Sequence, residues 1–240
     1  MLCTAVFGSN YMQNKEGLWK LSPSKLYSFV DCPSCFWAEN HVGSHPFTLP
    51  LRLNDAMDSR LKSRYDMFRV KGELPPELAA EVKGVRLFPD LNQLEEWRNN
   101  KTALRYIDEK LGYVLDGKID ELFLGKNNEF IPADYKSSGD PPKEDKQKYY
   151  RLQLAAYAWM FAHRGHEVGN KAYLLHYYTK DREDTSMAME LNFHADEVAV
   201  DLVEFQKKMK EMIDLLNGPF PGPNSFCKRC EWLEKRKAVE

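Results

Sequence analysis

The feature that most constrains the fold is a change of hydrophobic period in the middle of the chain. Residues 113–124 and 130–136 are rich in Val, Leu, Ile and Phe, and the turn-forming residues 125–128 separate them. This pattern predicts two neighbouring β-strands joined as a hairpin. Side chains alternate along a strand, so Asp134 and Lys136 share one face, and Asp120 can lie opposite Asp134 if the two strands pair.

Helical periodicity surrounds this centre. Apolar residues spaced by three and four predict an amphipathic helix over residues 54–70. Further helices are predicted over residues 91–98, 146–163 and 196–216, and strands over 171–179 and 186–193. The order predicts an α/β fold with a mixed central β-sheet flanked by helices. We expect a mobile leader over residues 1–20 and one compact domain over residues 21–240.

Composition limits the class of protein. The chain has 240 residues, of which 43% are hydrophobic and 29% are charged, a balance that suits a globular domain with a sizeable core. The longest nearly apolar stretch, residues 152–162, is too short to span a bilayer, and the N-terminus lacks the pattern of a secretion signal. We therefore expect a cytoplasmic protein. The net charge of −2 argues against a wholly basic nucleic-acid coat but permits a local basic patch.

The charged residues of the predicted hairpin suit phosphodiester hydrolysis. Two carboxylates, Asp120 and Asp134, make an oxygen site for Mg²⁺ or Mn²⁺, and the backbone carbonyl of Tyr135 can add a ligand. Such a metal polarises a phosphoryl oxygen and lowers the pKa of bound water, while Lys136 can orient that water or offset charge in the transition state. The plainer alternative is a set of solvated strand-end charges, because a single D-x-K pattern often occurs by chance.

Five motifs occur in an order that resembles a known family. They are Leu21-Ser22-Pro23-Ser24-Lys25-Leu26 with Cys32-Pro33, Gly117-Lys118-Ile119-Asp120, Asp134-Tyr135-Lys136, Gln153-Leu154-Ala155-Ala156-Tyr157, and Cys227-x-x-Cys230. Together they resemble the PD-(D/E)XK nuclease superfamily, and within it the RecB-like exonuclease branch that includes CRISPR-associated exonucleases and AddB-type helicase–nucleases. The resemblance implies a restriction-endonuclease-like core and a metal-dependent DNA nuclease. It further implies an exonuclease on single-stranded ends in DNA repair or processing, with a helicase or CRISPR-type partner.

The resemblance also implies roles for the site residues. Asp120 and Asp134 would bind metal and Lys136 would assist the nucleophile. Gln153 and Tyr157 are four residues apart and so share one helix face, from which they would position the substrate. Without the resemblance, they would be a helix-surface amide and a core aromatic.

The first motif of the family departs from its usual pattern here. The family places a histidine or an acidic residue on the helix before the hairpin, and no histidine stands in the matching region, residues 53–58. We choose Asp58 as the third metal ligand because it falls where the histidine would. The alternatives are Asp55, Asp66 and Glu73.

Four of the five cysteines form two C-x-x-C pairs, Cys32 with Cys35 and Cys227 with Cys230, which in a cytoplasmic chain suggest metal ligation. Some RecB-like members hold a [4Fe–4S] cluster with one cysteine before the nuclease core and three after it. Residues 231–236 lack the expected last cysteine, so Cys35 would be the fourth ligand. Four thiolates suit an iron–sulfur cluster or tetrahedral Zn²⁺, and a site without metal stays open.

A basic and aromatic segment follows the D-x-K strand. Its members are Lys143, Lys146, Lys148, Tyr149, Tyr150 and Arg151. Such a segment suits a DNA backbone and stacked bases, although a solvated helix end is an equal alternative. Two other functions compete with the nuclease: a catalytically silent nucleic-acid-binding or assembly module that keeps the fold, and a zinc-only structural protein.

Overall fold

The computed structural model describes residues 13–43, 52–99, 101, 103–143, 147–180 and 190–237. The elements in chain order are β1 (Trp19–Leu21), a 3-10 turn (Pro23–Lys25), α1 (Tyr27–Asp31), α2 (Pro33–His41), α3 (Arg52–Lys71), α4 (Pro76–Glu81), β2 (Arg86–Leu87), α5 (Leu91–Arg98), β3 (Leu104–Asp108), β4 (Tyr113–Gly117), β5 (Glu121–Leu124), β6 (Phe130–Ser138), α6 (Gln147–Ala162), β7 (Lys171–Thr179), β8 (Leu191–Ala199), α7 (Leu202–Asn217) and α8 (Lys228–Lys237).

The chain divides into two compact units. Unit 1 comprises residues 1–49, 105–116 and 203–240, and unit 2 comprises residues 50–104 and 117–202. A single functional domain over residues 21–240 stays a prediction. Within the part of the chain that the structure describes, no helix combines the length and the hydropathy that crossing a bilayer requires.

Unit 2 contains a five-stranded mixed sheet in the order β2-β5-β6-β7-β8. The pairs β2–β5, β5–β6 and β7–β8 are antiparallel, whereas β6 and β7 are parallel. The parallel pair requires a crossover connection, which α6 supplies. The predicted α/β fold with a mixed sheet and flanking helices is therefore confirmed.

Strand alternation decides which residues of β6 enter the core. Ile131, Ala133 and Tyr135 pack in one buried cluster with Leu61 and Tyr65 of α3. Burial of each large apolar side chain contributes about 2 kcal/mol, which holds α3 against this face of the sheet. The intervening residues of β6, including Asp134 and Lys136, consequently point to the opposite face.

Three predicted elements are wrong in their bounds. The predicted arm over residues 113–124 is two strands in different sheets, because β4 pairs with β1 and only β5 pairs with β6. The predicted strand 186–193 and helix 196–216 are displaced: β8 covers residues 191–199 and α7 begins at Leu202. Polar residues on the exposed side of an edge strand resemble a helix start in sequence, which explains the second error. Residues 181–189 lie outside the described part.

Unit 1 contains a small sheet in the order β1-β4-β3, with β1 parallel to β4. Its described helices are α1, α2, α7 and α8. The indole of Trp19 is 2% exposed and donates to Asn217 Oδ1 at 2.9 Å. β1 therefore begins within the segment that we predicted as a leader, because a strand of three residues is too short to show a period in sequence.

Candidate active site

Strand pairing brings the two predicted metal-binding carboxylates together. Glu121 of β5 is paired with Ala133 of β6, so Asp120, one residue before β5, lies next to Asp134. The backbone N–H of Tyr135 donates to Asp120 Oδ2 at 3.3 Å. The geometry that we predicted for a hairpin thus exists, although only β5 supplies the first strand.

Asp134 is almost fully buried, at 2% exposure, and two polar side chains hold it. Gln153 Nε2 donates to Asp134 Oδ1 at 2.6 Å, and the ammonium of Lys136 forms an ion pair with Asp134 Oδ2. Burial raises the pKa of Asp134 to about 7, against the opposing effect of Lys136 and with a further increase from the charge of Asp120. A buried carboxylate of this kind gains most from a bound cation.

The donor set fits a hard divalent cation. Asp134 Oδ2 is buried and, apart from the ion pair with Lys136, accepts no hydrogen bond within the described residues. Oxygen ligands on Asp120 and Asp134 match the preference of Mg²⁺ and Mn²⁺. The backbone carbonyl of Tyr135 stays a predicted ligand.

A second lysine, which the sequence did not indicate, lies between two of the predicted ligands. Lys62 Nζ is 2.7 Å from Asp58 Oδ2 and 3.0 Å from Asp120 Oδ1. Burial lowers the pKa of Lys62, but the charges and hydrogen bonds of Asp120 and Asp58 outweigh it, so the pKa is raised overall. Asp58 is thus connected to Asp120 through an ammonium group. The spacing of four between Asp58 and Lys62 was the available signal.

The three alternatives to Asp58 lie elsewhere. Asp55 and Glu73 are exposed. Asp66 accepts from Arg98 at 2.9 Å and from Arg69 at 3.2 Å, so it belongs to a set of ion pairs. Of these four residues, Asp58 is the one that a lysine joins to the Asp120 carboxylate, and its role as a ligand stays a prediction.

Tyr157 contacts the backbone that leads into β5. Its hydroxyl donates to the carbonyl of Lys118 at 2.5 Å, two residues before Asp120. Burial, followed by the charges of Asp134 and Asp120, raises the pKa of Tyr157 well above its ordinary value, so the hydroxyl stays a donor. In this position Tyr157 fixes the segment that carries Asp120. The predicted contact with substrate stays a prediction.

A buried ion-pair network, also absent from the sequence prediction, lies next to the site in the chain. It consists of Asp66, Arg69, Arg98, Glu121 and Tyr135. Arg69 Nη2 is 2.7 Å from both carboxylate oxygens of Glu121, and Arg98 Nη2 is 3.2 Å from one of them. Tyr135 donates to the same carboxylate at 3.0 Å, and Arg98 Nε donates to the backbone carbonyl of Asp120 at 2.9 Å. The network therefore connects α3, α5, β5 and β6.

The predicted nucleic-acid-binding residues are partly described. Lys136 Nζ lies 4.3 Å from the centre of the Tyr150 ring, and Lys148 Nζ lies 5.3 Å from that of Tyr149. Lys143 and Arg151 are exposed. Lys146 lies outside the described residues. The contact of Tyr150 with Lys136 joins this segment to the candidate site.

The four paired cysteines come together in unit 1. The Sγ atoms of Cys32, Cys35, Cys227 and Cys230 all lie within 4.8 Å of one another, and no disulfide joins them. Burial raises the pKa of Cys35, whereas hydrogen bonds that include the N–H of Cys230 outweigh burial at Cys227 and lower its pKa to about 7. This cysteine site can hold a metal or a cluster.

Comparison with known proteins agrees with this class of site. Residues 51–234 match the sequence model of the PD-(D/E)XK nuclease superfamily, whose members are typically metal-dependent phosphodiesterases. The chain belongs to this superfamily. No curated protein matches it in sequence to a significant degree. The solved structure titled "Crystal structure of SSO0001" is 19% identical with a TM-score of 0.47, covering 90% of this chain and 84% of that one.

Proposed function

We propose that this chain is a metal-dependent DNA nuclease whose active site is Asp120, Asp134 and Lys136. The observation that carries the proposal is that strand pairing sets Asp120 beside Asp134, whose buried Oδ2 forms an ion pair with Lys136. Solvated strand-end charges would not explain a carboxylate that is 2% exposed and held by Gln153. Such a group is costly to bury unless cations surround it.

Different residues of the site would perform different parts of the reaction. A bound Mg²⁺ or Mn²⁺ would polarise the phosphoryl group and lower the pKa of the attacking water. Asp120 and Asp134 would hold it, with Asp58 as the third ligand. Lys136, which is paired with Asp134, would orient the water and offset charge on the phosphoryl oxygens. Gln153 and Tyr157 hold the two carboxylate-bearing segments in place.

Lys62 supplies the positive charge between Asp58 and Asp120 before metal binds. Two carboxylates brought together without a cation repel each other, and the ammonium offsets this repulsion. Lys62 would compete with a divalent ion for Asp120, and its flexible four-carbon stem would let the ammonium turn toward a substrate phosphate. Lys62 is therefore both a competitor of the metal and a candidate phosphate contact.

The finer assignment follows the motif resemblance. We propose a RecB-like enzyme, similar to CRISPR-associated and AddB-type nucleases, that acts as an exonuclease on single-stranded DNA ends in repair or processing. The basic and aromatic start of α6 supports this choice, since stacking on aromatic rings suits unpaired bases. A cytoplasmic location and a helicase or CRISPR-type partner belong to the same proposal.

The test is degradation of end-labelled DNA with Mn²⁺ or Mg²⁺, on blunt, 5′-tailed, 3′-tailed and circular substrates. We expect the wild type to shorten tailed substrates, and Asp134→Ala to be inactive while still binding DNA. Degradation of circles would instead indicate an endonuclease. If wild type and variant both bind DNA or RNA and neither degrades it, the nuclease proposal fails and a catalytically silent binding module is the function.

A further inference from the structure

The cysteine site has the dimensions of a single metal ion. Cys32 Sγ is 3.7 Å from Cys230 Sγ, and Cys35 Sγ is 3.7 Å from Cys227 Sγ and 3.8 Å from Cys230 Sγ. A tetrahedral Zn²⁺ with Zn–S bonds of about 2.3 Å places its ligand sulfurs about 3.8 Å apart. These three separations match that tetrahedron edge, and all four Sγ atoms lie within 4.8 Å of one another.

The same distances do not fit a [4Fe–4S] cluster. In such a cluster each thiolate binds a different iron and points outward from the core of iron and sulfide. The cysteine sulfurs must then be much farther apart than ligands of one ion, because the whole core lies between them. Here all four Sγ atoms lie within 4.8 Å of one another, which leaves no room for a core.

The backbone around the cysteine site suits thiolates. Cys32 is the N-cap of α2, and its Sγ accepts from the N–H of Cys35 at 3.4 Å. Cys227 directly precedes α8, and its carbonyl accepts from the N–H of Glu231 at 2.9 Å. Both C-x-x-C pairs therefore begin helices, where the free N–H groups and the helix dipole stabilise negative charge.

Burial makes an unliganded site unfavourable. Cys32, Cys35 and Cys230 are 1%, 8% and 5% exposed. Cys227 is half-buried. Thiolates gathered in this largely buried place require a cation that neutralises them. The four sulfurs also form a complete set of protein ligands, which leaves no coordination position for water, as in a structural zinc site.

We infer that Cys32, Cys35, Cys227 and Cys230 bind one structural Zn²⁺ ion in place of an iron–sulfur cluster, and thereby join α2 to α8. The two pairs are 192 to 198 residues apart in sequence, so the ion closes a loop that contains most of the chain. Closing such a loop restricts the unfolded chain and stabilises the folded one. The ion takes no part in the nuclease reaction proposed above.

The test measures metal content in the full chain, purified anaerobically from cells grown with equal iron and zinc. We expect one zinc per chain, no acid-labile sulfide and no visible absorption band. Co²⁺ loaded after chelation should give thiolate charge-transfer and tetrahedral d–d bands. Four irons with sulfide, one iron without sulfide, or a metal-free chain would each overturn the inference.

Variants supply the matched control. Cys230→Ser should lose the zinc and lower the melting temperature of the chain, whereas Cys3→Ser, which removes the fifth cysteine, should keep one zinc. Equal zinc in the two variants would place the ion elsewhere and overturn the inference. If Cys230→Ser does not fold, the metal content and the Co²⁺ spectrum of the wild type decide the question without it.

Discussion

Replacement of Arg69 by methionine should destabilise unit 2 strongly, because it removes the main partner of a fully buried carboxylate. The Arg69 side chain is 1% exposed and Glu121 is 0% exposed, and their charged atoms lie 2.7 Å apart. Removing one partner of a buried pair costs about 3–5 kcal/mol. Arg98 and Tyr135 remain near Glu121 at 3.2 and 3.0 Å, so we expect the lower end, about 3 kcal/mol.

Urea unfolding followed by circular dichroism measures this loss, and hydrogen exchange of the β5 and β6 amides locates it. A loss of this size lowers the melting temperature by roughly 6–12 °C in a chain of this length. The control is Lys180→Met, which removes an exposed pair with Glu190 at 3.5 Å and should cost less than about 1 kcal/mol.

The double variant Arg69→Met/Glu121→Leu separates two explanations for the loss. If the loss comes from a buried charge left without its partner, replacing both charges by apolar side chains should recover most of the stability. If the loss comes from misfitting volume, the double variant should be no better than the single one. An Arg69→Met chain as stable as the Lys180→Met control would refute the reasoning outright.

Three further predictions concern the site and its surroundings. Lys62→Met removes the internal competitor of the metal, so calorimetry with Mg²⁺ should show roughly tenfold tighter binding, whereas Lys210→Met, at an exposed pair of the same spacing, should leave it unchanged. Tyr157→Phe loses the hydrogen bond to the carbonyl of Lys118 and should lower the single-turnover rate of DNA cleavage about tenfold, with the affinity for DNA unchanged. An equal loss of affinity for DNA would instead support a contact between Tyr157 and the substrate. Burial lowers the pKa of His176, so the unfolded chain binds a proton at this histidine more readily than the folded chain does. Stability should therefore fall as the pH drops below about 6.5. His176→Asn should flatten this part of the plot of stability against pH, and an unchanged slope would contradict the prediction.

Much of the fold was predictable because it rests on local patterns. Period-two and period-3.6 segments identified β6, β7, α3, α5 and α6 within a few residues. The pairing of β5 with β6 followed from the turn between them. The division of residues 113–124 into two strands was not predictable, because both halves are equally apolar and only the partner strand differs.

The candidate site likewise contains residues that the sequence could predict and residues that it could not. Asp134, Lys136 and Gln153 meet because each lies on an element whose period fixes its direction, and the pairing of β5 with β6 brings Asp120, which directly precedes β5, beside them. Lys62 could not be assigned, because its partners include a residue 58 positions away and a spacing of four on α3 does not select one partner. The contact of Tyr157 with the backbone carbonyl of Lys118 could not be predicted from the sequence either, because every residue type has a backbone carbonyl.

Neighbouring residues on β5 and β6 link the catalytic proposal to the stability prediction. Asp120 is followed by Glu121, and Asp134 by Tyr135, so each of these two metal-ligand candidates adjoins a member of the buried ion-pair network. Alternation turns one residue of the Asp134–Tyr135 pair toward the site and the other into the core. Arg98 holds the backbone of Asp120 and the carboxylate of Glu121 with one guanidinium. Buried ion pairs therefore hold the segments that carry both carboxylates, and a loss of stability at Glu121 should appear as a loss of order at Asp120.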